Sequence, residues 1–271
     1  MISSRFERVM NYAILTAFAA AVLIPLGVLV LTALSPSKTG KISLTDFRWD
    51  NFVTAWVQTD FGRHLAVSAG ITVATVVIVV VITPAAAYAL SLLKAPGHRW
   101  VFPLMLVGLL IPLEGIIVPL YFNLRDAGLT GSPISLVVAH VGLSTSFGVF
   151  WMRASFRAVP GALVESAKLD GAGDLRTLIS VLLPILNPAI VTLALLTFMS
   201  TWNDYFIAFV LINDPEMLPV TVSLGSFATR TTNEDNLMAA AAILVATPIV
   251  ILYLIFQRRF IAGVLSGALK G

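Results

Sequence analysis

The sequence predicts an all-α membrane protein with six transmembrane helices and, between the fourth and fifth, a cytoplasmic helix-turn-helix. Three observations carry this. Hydrophobic residues make up 58% of the 271 and charged residues only 11%, and the mean hydropathy is +0.94, a balance that excludes a soluble globular domain. The apolar residues gather into runs near the roughly 20 residues that cross a bilayer core, and no alternating strand pattern is present. The basic residues, finally, are distributed unevenly about those runs. The chain has no Cys, which removes disulfides, thiolate metal sites and thiol nucleophiles, and leaves the redox compartment undetermined.

The first span is expected over about 12–34, behind Arg5 and Arg8; it is longer than a signal-peptide core and reads as a retained anchor. Residues 35–63 form a polar loop in which Trp49 and Trp56 suit interfacial anchoring. The second span, about 65–93, contains Pro84 and stops at Lys94-Ala95-Pro96-Gly97. The third, about 100–123, is interrupted by Pro103, Pro112 and Pro119, and the fourth, about 134–151, starts after Gly131-Ser132-Pro133. The fifth runs over about 185–212 with an ambiguous outer end, and the sixth over about 238–256. The whole chain reads as one transmembrane domain.

Orientation follows from charge. With both termini in the cytoplasm, eleven of the seventeen Lys and Arg fall on that side, in or beside short loops, and six on the other. This is the positive-inside pattern. It places residues 153–184 in the cytoplasm and the acidic segment 213–236, with Asp214, Glu216, Glu234 and Asp235 against Arg230, outside.

The stretch from Pro160 to Pro184 is polar where its surroundings are apolar. Pro160 suits a first helical position and Gly171 a left-handed C-terminal cap. A second short helix is expected from the N-cap Asp174 to the residue before Pro184, burying Leu175, Leu178, Ile179, Leu182 and Leu183 on one face. Each helix would be about 15 Å long, too short to span. A purely interfacial amphipathic hairpin has the same periodicity. It leaves Glu165, Asp170 and Gly171 at their observed spacing without a role.

Glu165-Ser166-Ala167, Gly171 after three residues, and Val181-Leu182-Leu183-Pro184 after nine more resemble the cytoplasmic loop of permease subunits in ABC importers. Ser166 stands where that loop has Ala, and Val181 where it has Ile. The C-terminal stretch is similar to the tail of carbohydrate permeases related to the second maltose permease subunit: Gln257-Arg258-Arg259-Phe260, Gly263, and Ser266-Gly267-Ala268-Leu269-Lys270-Gly271. The resemblance implies that the first short helix couples to an ATP-hydrolysing partner through Glu165, Ser166, Ala167, Asp170 and Gly171, with Pro184 closing the loop. It also implies that the tail, through Arg258, Arg259, Gly267 and Lys270, contacts that partner. The implied partners are a second, homologous permease subunit, two ATPase subunits and an extracytoplasmic solute-binding protein, in a bacterial cytoplasmic membrane. Mg-ATP would sit on the ATPases, and this chain would carry no cofactor.

Ionisable residues inside spans are expensive and mark functional sites. If the spans are straight helices, Glu114 lies about 21 Å and Asp204 about 28 Å above their cytoplasmic ends, and His140 about 9 Å below the outer end of its own. Glu114, Trp202, Asn203, Asp204 and Tyr205 are therefore candidates for a polar wall along the substrate path. His140 is better explained by pairing with another of these residues or with backbone carbonyls freed by Pro112 and Pro119. No Lys or Arg falls within the predicted spans, which suits a neutral polyol better than a phosphate or carboxylate. In maltose-type systems most sugar contacts come from the other permease subunit, so this wall speaks only for one half of the path.

No chemistry is written on the chain. It lacks the Gly-x-x-x-x-Gly-Lys-Ser/Thr phosphate loop, the His-Glu-x-x-His zinc pattern and the Gly-x-Ser-x-Gly elbow. It has no metal-ligand set and no basic stripe for nucleic acid. The reading is a permease subunit of a binding-protein-dependent importer for an oligosaccharide or disaccharide. The alternatives are an ion-coupled secondary transporter, which has no need of the cytoplasmic helix pair, and an importer for a glycerol-phosphate-type solute.

Overall fold

The computed structural model describes residues 5–36, 42, 45–230 and 234–268, those at 226–230 and 259–268 by their backbone alone. All regular structure among them is helical. The chain divides into two compact units, 1–62 with 223–248 and 63–222 with 249–271.

In the first unit, α1 (Arg5–Ala33) is apolar on all sides and buries only its last residue, Ala33. A helix hydrophobic all round belongs in lipid or against a partner. The end of α1 packs with α2 (Asp50–Gln58) and the start of the last helix through Ala33, Ala55, Ala239, Ala240 and Ala241. Small side chains let these backbones approach closely. The carbonyls exposed at the end of α1 are taken by a side chain: the Asn51 amide donates to Ala33 O at 2.8 Å and Ser35 O at 2.9 Å. Asn236 adds a longer bond to Ser35 O at 3.3 Å. Helix ends need such partners when water is excluded.

In the second unit, α3 (Phe61–Ser91) and α6 (Pro133–Arg157) are full-length candidate spans. They meet at Gly148, where an added Cβ would lie 2.6 Å from Thr83 Cγ2. Two apolar clusters fill the unit. One joins Ile71, Leu136, Ile207 and Leu211. The other joins Val79, Met152, Phe156, Leu182 and Leu193.

The third span is not a straight helix. α4 (His98–Leu110) and α5 (Leu113–Asp126) meet at 107°. Ile111 and Pro112 are both extended, with ψ 121° and 141°. Proline removes an N–H and pushes its predecessor out of the helical region. Pro103 and Pro119, by contrast, stay inside helices. The break lets α5 bury Ile117 and Leu124, with Leu113 and Leu120 packed beside them, whereas α4 has no fully buried residue and packs through the partly buried Phe102 and Met105.

The fifth span is broken too. After α7 (Gly161–Leu169) comes α8, a helical run over Asp174–Ile185, and then α9 (Asn187–Trp202), bent from it by 80°. Beyond Trp202 a short α10 (Phe206–Leu211) follows, so the expected 185–212 span is interrupted at both Leu186 and Asn203–Tyr205. Heights counted along unbroken helices therefore do not hold for Glu114 and Asp204. The remaining helices are α11 (Val220–Arg230) and α12 (Asp235–Ala268). α11 falls inside the expected outer loop, and α12 continues through Gly263 and Gly267 without a break. By length and composition the described residues hold four spans, or six if each bent pair counts as one.

Candidate functional site

Two regions of the second unit carry most of the predicted residues. The first is the loop after α6. α7 starts at Gly161 with Pro160 as its N-cap and ends at the cap residue Asp170. Gly171 has φ +76°. Its N–H donates to Lys168 O at 3.0 Å, and Ala172 N–H to Ala167 O at 2.9 Å. This pair of bonds is the Schellman arrangement, which needs a left-handed residue where Gly171 stands. Ala167 is buried, while Glu165, Ser166, Asp170 and Gly171 all face outward.

α8 departs from the expected helix. Gly173, not Asp174, is the N-cap, and the run passes through Pro184 to Ile185. Residues Thr177–Leu182 form a π-helical turn. Its wider i→i+5 winding breaks the 3.6-residue phase assumed for one buried face. Leu178 and Leu182 are buried, but Leu175 is 70% and Ile179 54% exposed. Together with Leu169 at 88% they give this loop an apolar outer surface beside its acidic residues.

The second region surrounds Asp204. Its carboxylate accepts from Ile207 N–H at 3.3 Å and Ala208 N–H at 3.1 Å, capping α10. Thr221 Oγ1 donates to its backbone carbonyl at 2.6 Å. His140 Nε2 lies 3.6 Å from Oδ2, with both side chains nearly buried at 6% and 11%. Beside the pair is a cavity of about 270 Å³. Its polar wall is His140 and Ser144 of α6 with Thr197, Ser200 and Asp204 of α9 and its end; Leu113, Leu143, Phe147, Leu196 and Ile207 complete it. The same pair, with Ser68, Thr72 and Thr201, also borders a void of about 10 Å³.

Of the five residues expected along a substrate path, Asp204 lines the cavity. Trp202 is buried and stacks on Phe198 with ring centroids 5.4 Å apart. Asn203 is exposed and donates to Met199 O at 2.9 Å. Tyr205 stacks on Phe209 at 5.6 Å, and Glu114 is exposed in the first turn of α5. Ser144, Thr197 and Ser200 line the cavity too, and no sequence motif marks them. Their spacing, with Ser144 four residues after His140 and Ser200 three after Thr197, was the available signal. Arg258 is exposed; Arg259 and Gly267 lie on the helical backbone of α12, and Lys270 lies outside the described residues. Among the described residues no cluster of His, Asp and Glu could hold a metal ion.

Residues 82–265 match the family model of the binding-protein-dependent transport system inner membrane component. The chain belongs to this family. It is a permease subunit, a multi-pass membrane transport component and not an enzyme. The permease is 30% identical to the melibiose/raffinose/stachyose import permease protein MelC of Bacillus subtilis, over 98% of this chain and 100% of that one. It is 28% identical to the diacetylchitobiose uptake system permease protein NgcG of Streptomyces coelicolor, over 99% and 91%. It is 32% identical to the trehalose transport system permease protein SugB of Mycobacterium tuberculosis, over 90% and 89%. In structure it is similar to a chain of a bacterial ABC transporter involved in the import of the acidic polysaccharide alginate, with TM-score 0.83 and 26% identity over 96% of this chain and 99% of that one.

Proposed function

We propose that this permease is one of two transmembrane subunits of an ABC importer that brings a sugar across the bacterial cytoplasmic membrane. The observation that carries the reading is near full-length similarity to relatives whose names state sugar import. A sugar handed over by an external solute-binding protein would pass between this subunit and a homologous second one. Two ATPase subunits, which hold the Mg-ATP, would drive the change of access. The chain itself needs no cofactor.

The ATPase docks on the α7–α8 loop. Glu165, Ser166, Asp170 and Gly171 are solvent-facing, and exposed Leu169, Leu175 and Ile179 supply apolar area for a partner to bury. Ala167 is held inside the loop, and Leu178 and Leu182 seat it on the α6 cluster containing Met152 and Phe156. A rigid-body movement of the partner therefore reaches the membrane helices through packed side chains. Arg258, Arg259, Gly267 and Lys270 of the C-terminal stretch contact the same partner. Six spans with both termini and this loop in the cytoplasm agree with the charge asymmetry.

Cys placed at Ser166 and Ser226 of this Cys-free chain tests the arrangement. Ser166→Cys should crosslink to the ATPase and be shielded from an impermeant reagent in intact cells, while Ser226→Cys should label from outside. Equal labelling at both positions would sink the orientation, and failure of Ser166→Cys to crosslink in assembled complex would sink the docking assignment.

A further inference from the structure

We propose that the cavity at His140 and Asp204 is a subsite this subunit itself presents to a single neutral pyranose ring in transit. The proposal rests on the sugar-import reading and adds where, and for what ligand chemistry, this chain touches the substrate.

The wall has the donors and acceptors a sugar requires. A carboxylate offers about four lone-pair positions, and two of Asp204's are engaged by Ile207 and Ala208 N–H. The capping bonds hold the group in place, and a position remains to accept a sugar hydroxyl in a charge-assisted bond. Lining the cavity with it are Ser144, Thr197 and Ser200, hydroxyls that both donate and accept, as sugar hydroxyls do. The polar groups form two rows, His140 and Ser144 one turn apart on α6, Thr197 and Ser200 one turn apart on α9. Phe147, one turn beyond Ser144 on α6 and held in a stack on Trp151 at 6.2 Å, adds an apolar ring to the same lining for the C–H face of a sugar.

Size and charge narrow the ligand. A volume of about 270 Å³ equals roughly nine waters at the liquid's ~30 Å³ each. It falls just below the ~300–1,000 Å³ of pockets for drug-sized molecules. One ring fits and a disaccharide must pass through unit by unit. None of the residues around the cavity is Lys or Arg, and the ionisable pair there is His140 and Asp204. A uronate or phosphate would meet a carboxylate without a fixed cation, so the subsite selects neutral rings. In this it differs from what the alginate importer's acidic substrate requires.

The test uses the complete complex, with both permeases, ATPase and binding protein, in proteoliposomes. The probes are radiolabelled melibiose, trehalose and diacetylchitobiose, with an alginate disaccharide as the acidic arm. Thr197→Val with Ser200→Ala removes two hydroxyls and little volume. It should lower sugar moved per ATP hydrolysed about three- to tenfold, while the external KM, set by the binding protein, and basal ATP turnover stay unchanged. Ser144→Phe, which fills the cavity, should reduce uptake at least tenfold with the same basal turnover. Asp204→Asn should raise uptake of the acidic disaccharide relative to the neutral sugar.

If the wild-type complex carries neutral sugar and all three variants match it, the subsite is overturned and the sugar-import reading stands. If the variants lose basal ATP turnover in step with uptake, their effect is structural and the subsite is again overturned. If the wild type carries the acidic disaccharide and none of the neutral probes, sugar import stands and the neutral subsite is overturned; if it carries none of the four, the sugar-import reading fails, and the subsite with it.

Discussion

Replacing Gly171 isolates the role of one backbone conformation. Gly171 has φ +76°, and a Cβ built there meets nothing within 4 Å. Substitution is therefore penalised within this chain by conformation alone. The left-handed region costs an L-residue about 1–2 kcal/mol, and a β-branched one is at the upper end or beyond. Relief by leaving that region forfeits the bonds from Gly171 N–H to Lys168 O and from Ala172 N–H to Ala167 O, each contributing about 0.5–1.5 kcal/mol net. Either route makes Gly171→Val cost about 2 kcal/mol or more, roughly a thirtyfold loss of the correctly turned loop at 1.4 kcal/mol per tenfold. Gly171→Ala should cost about 1 kcal/mol, the lower end of the left-handed penalty, and Gly171→Asn less, because Asn tolerates this region. The readouts are retention of ATPase subunits by purified complex and stimulation of ATP turnover by sugar-loaded binding protein. The order Gly, Asn, Ala, Val should emerge in both. Wild-type behaviour of the Val variant would refute the coupling role of the turn. Equal damage by Asn, Ala and Val would show that the partner packs on the glycine surface and that φ is not what matters.

Three further outcomes are expected from the packing. Gly148→Ala puts a Cβ 2.6 Å from Thr83 Cγ2 and 3.0 Å from Thr83 Cβ, an overpacking that should destabilise by about 1–3 kcal/mol; thermal unfolding in detergent should show the drop, with partial recovery when Thr83→Ala is added. Asn51→Leu removes the donors from Ala33 O and Ser35 O and should cost about 1–3 kcal/mol, read as earlier protease cleavage around α2. Glu216→Gln breaks an ion pair with Arg63 at 3.0 Å whose side chains are 75% and 47% exposed. Surface pairs of this kind contribute little, so an unchanged melting temperature is expected and a clear drop would show a buried role.

The helical class, the four full-length apolar helices and the turn at Gly171 are legible in the sequence because each depends on local quantities. Hydropathy over about 20 residues sets where a helix can cross, and a lone Gly after a polar short helix marks a left-handed cap. The exposed Glu165 and Asp170 followed from the same local pattern. Which proline breaks a span was not local. Pro103, Pro112 and Pro119 carry the same steric rule, but only the bend at Pro112 brings Ile117 and Leu124 onto the buried cluster with Leu136 and Leu211. The π-turn at Thr177–Leu182 has no propensity signal; by changing the winding it leaves Leu175 and Ile179 on the surface. The cavity at Asp204 is also a tertiary product. His140 and Asp204 are 64 positions apart in the chain, and their 3.6 Å approach exists because α6 and α9 pack together, a contact set by side-chain shape over many residues and by no single run of sequence.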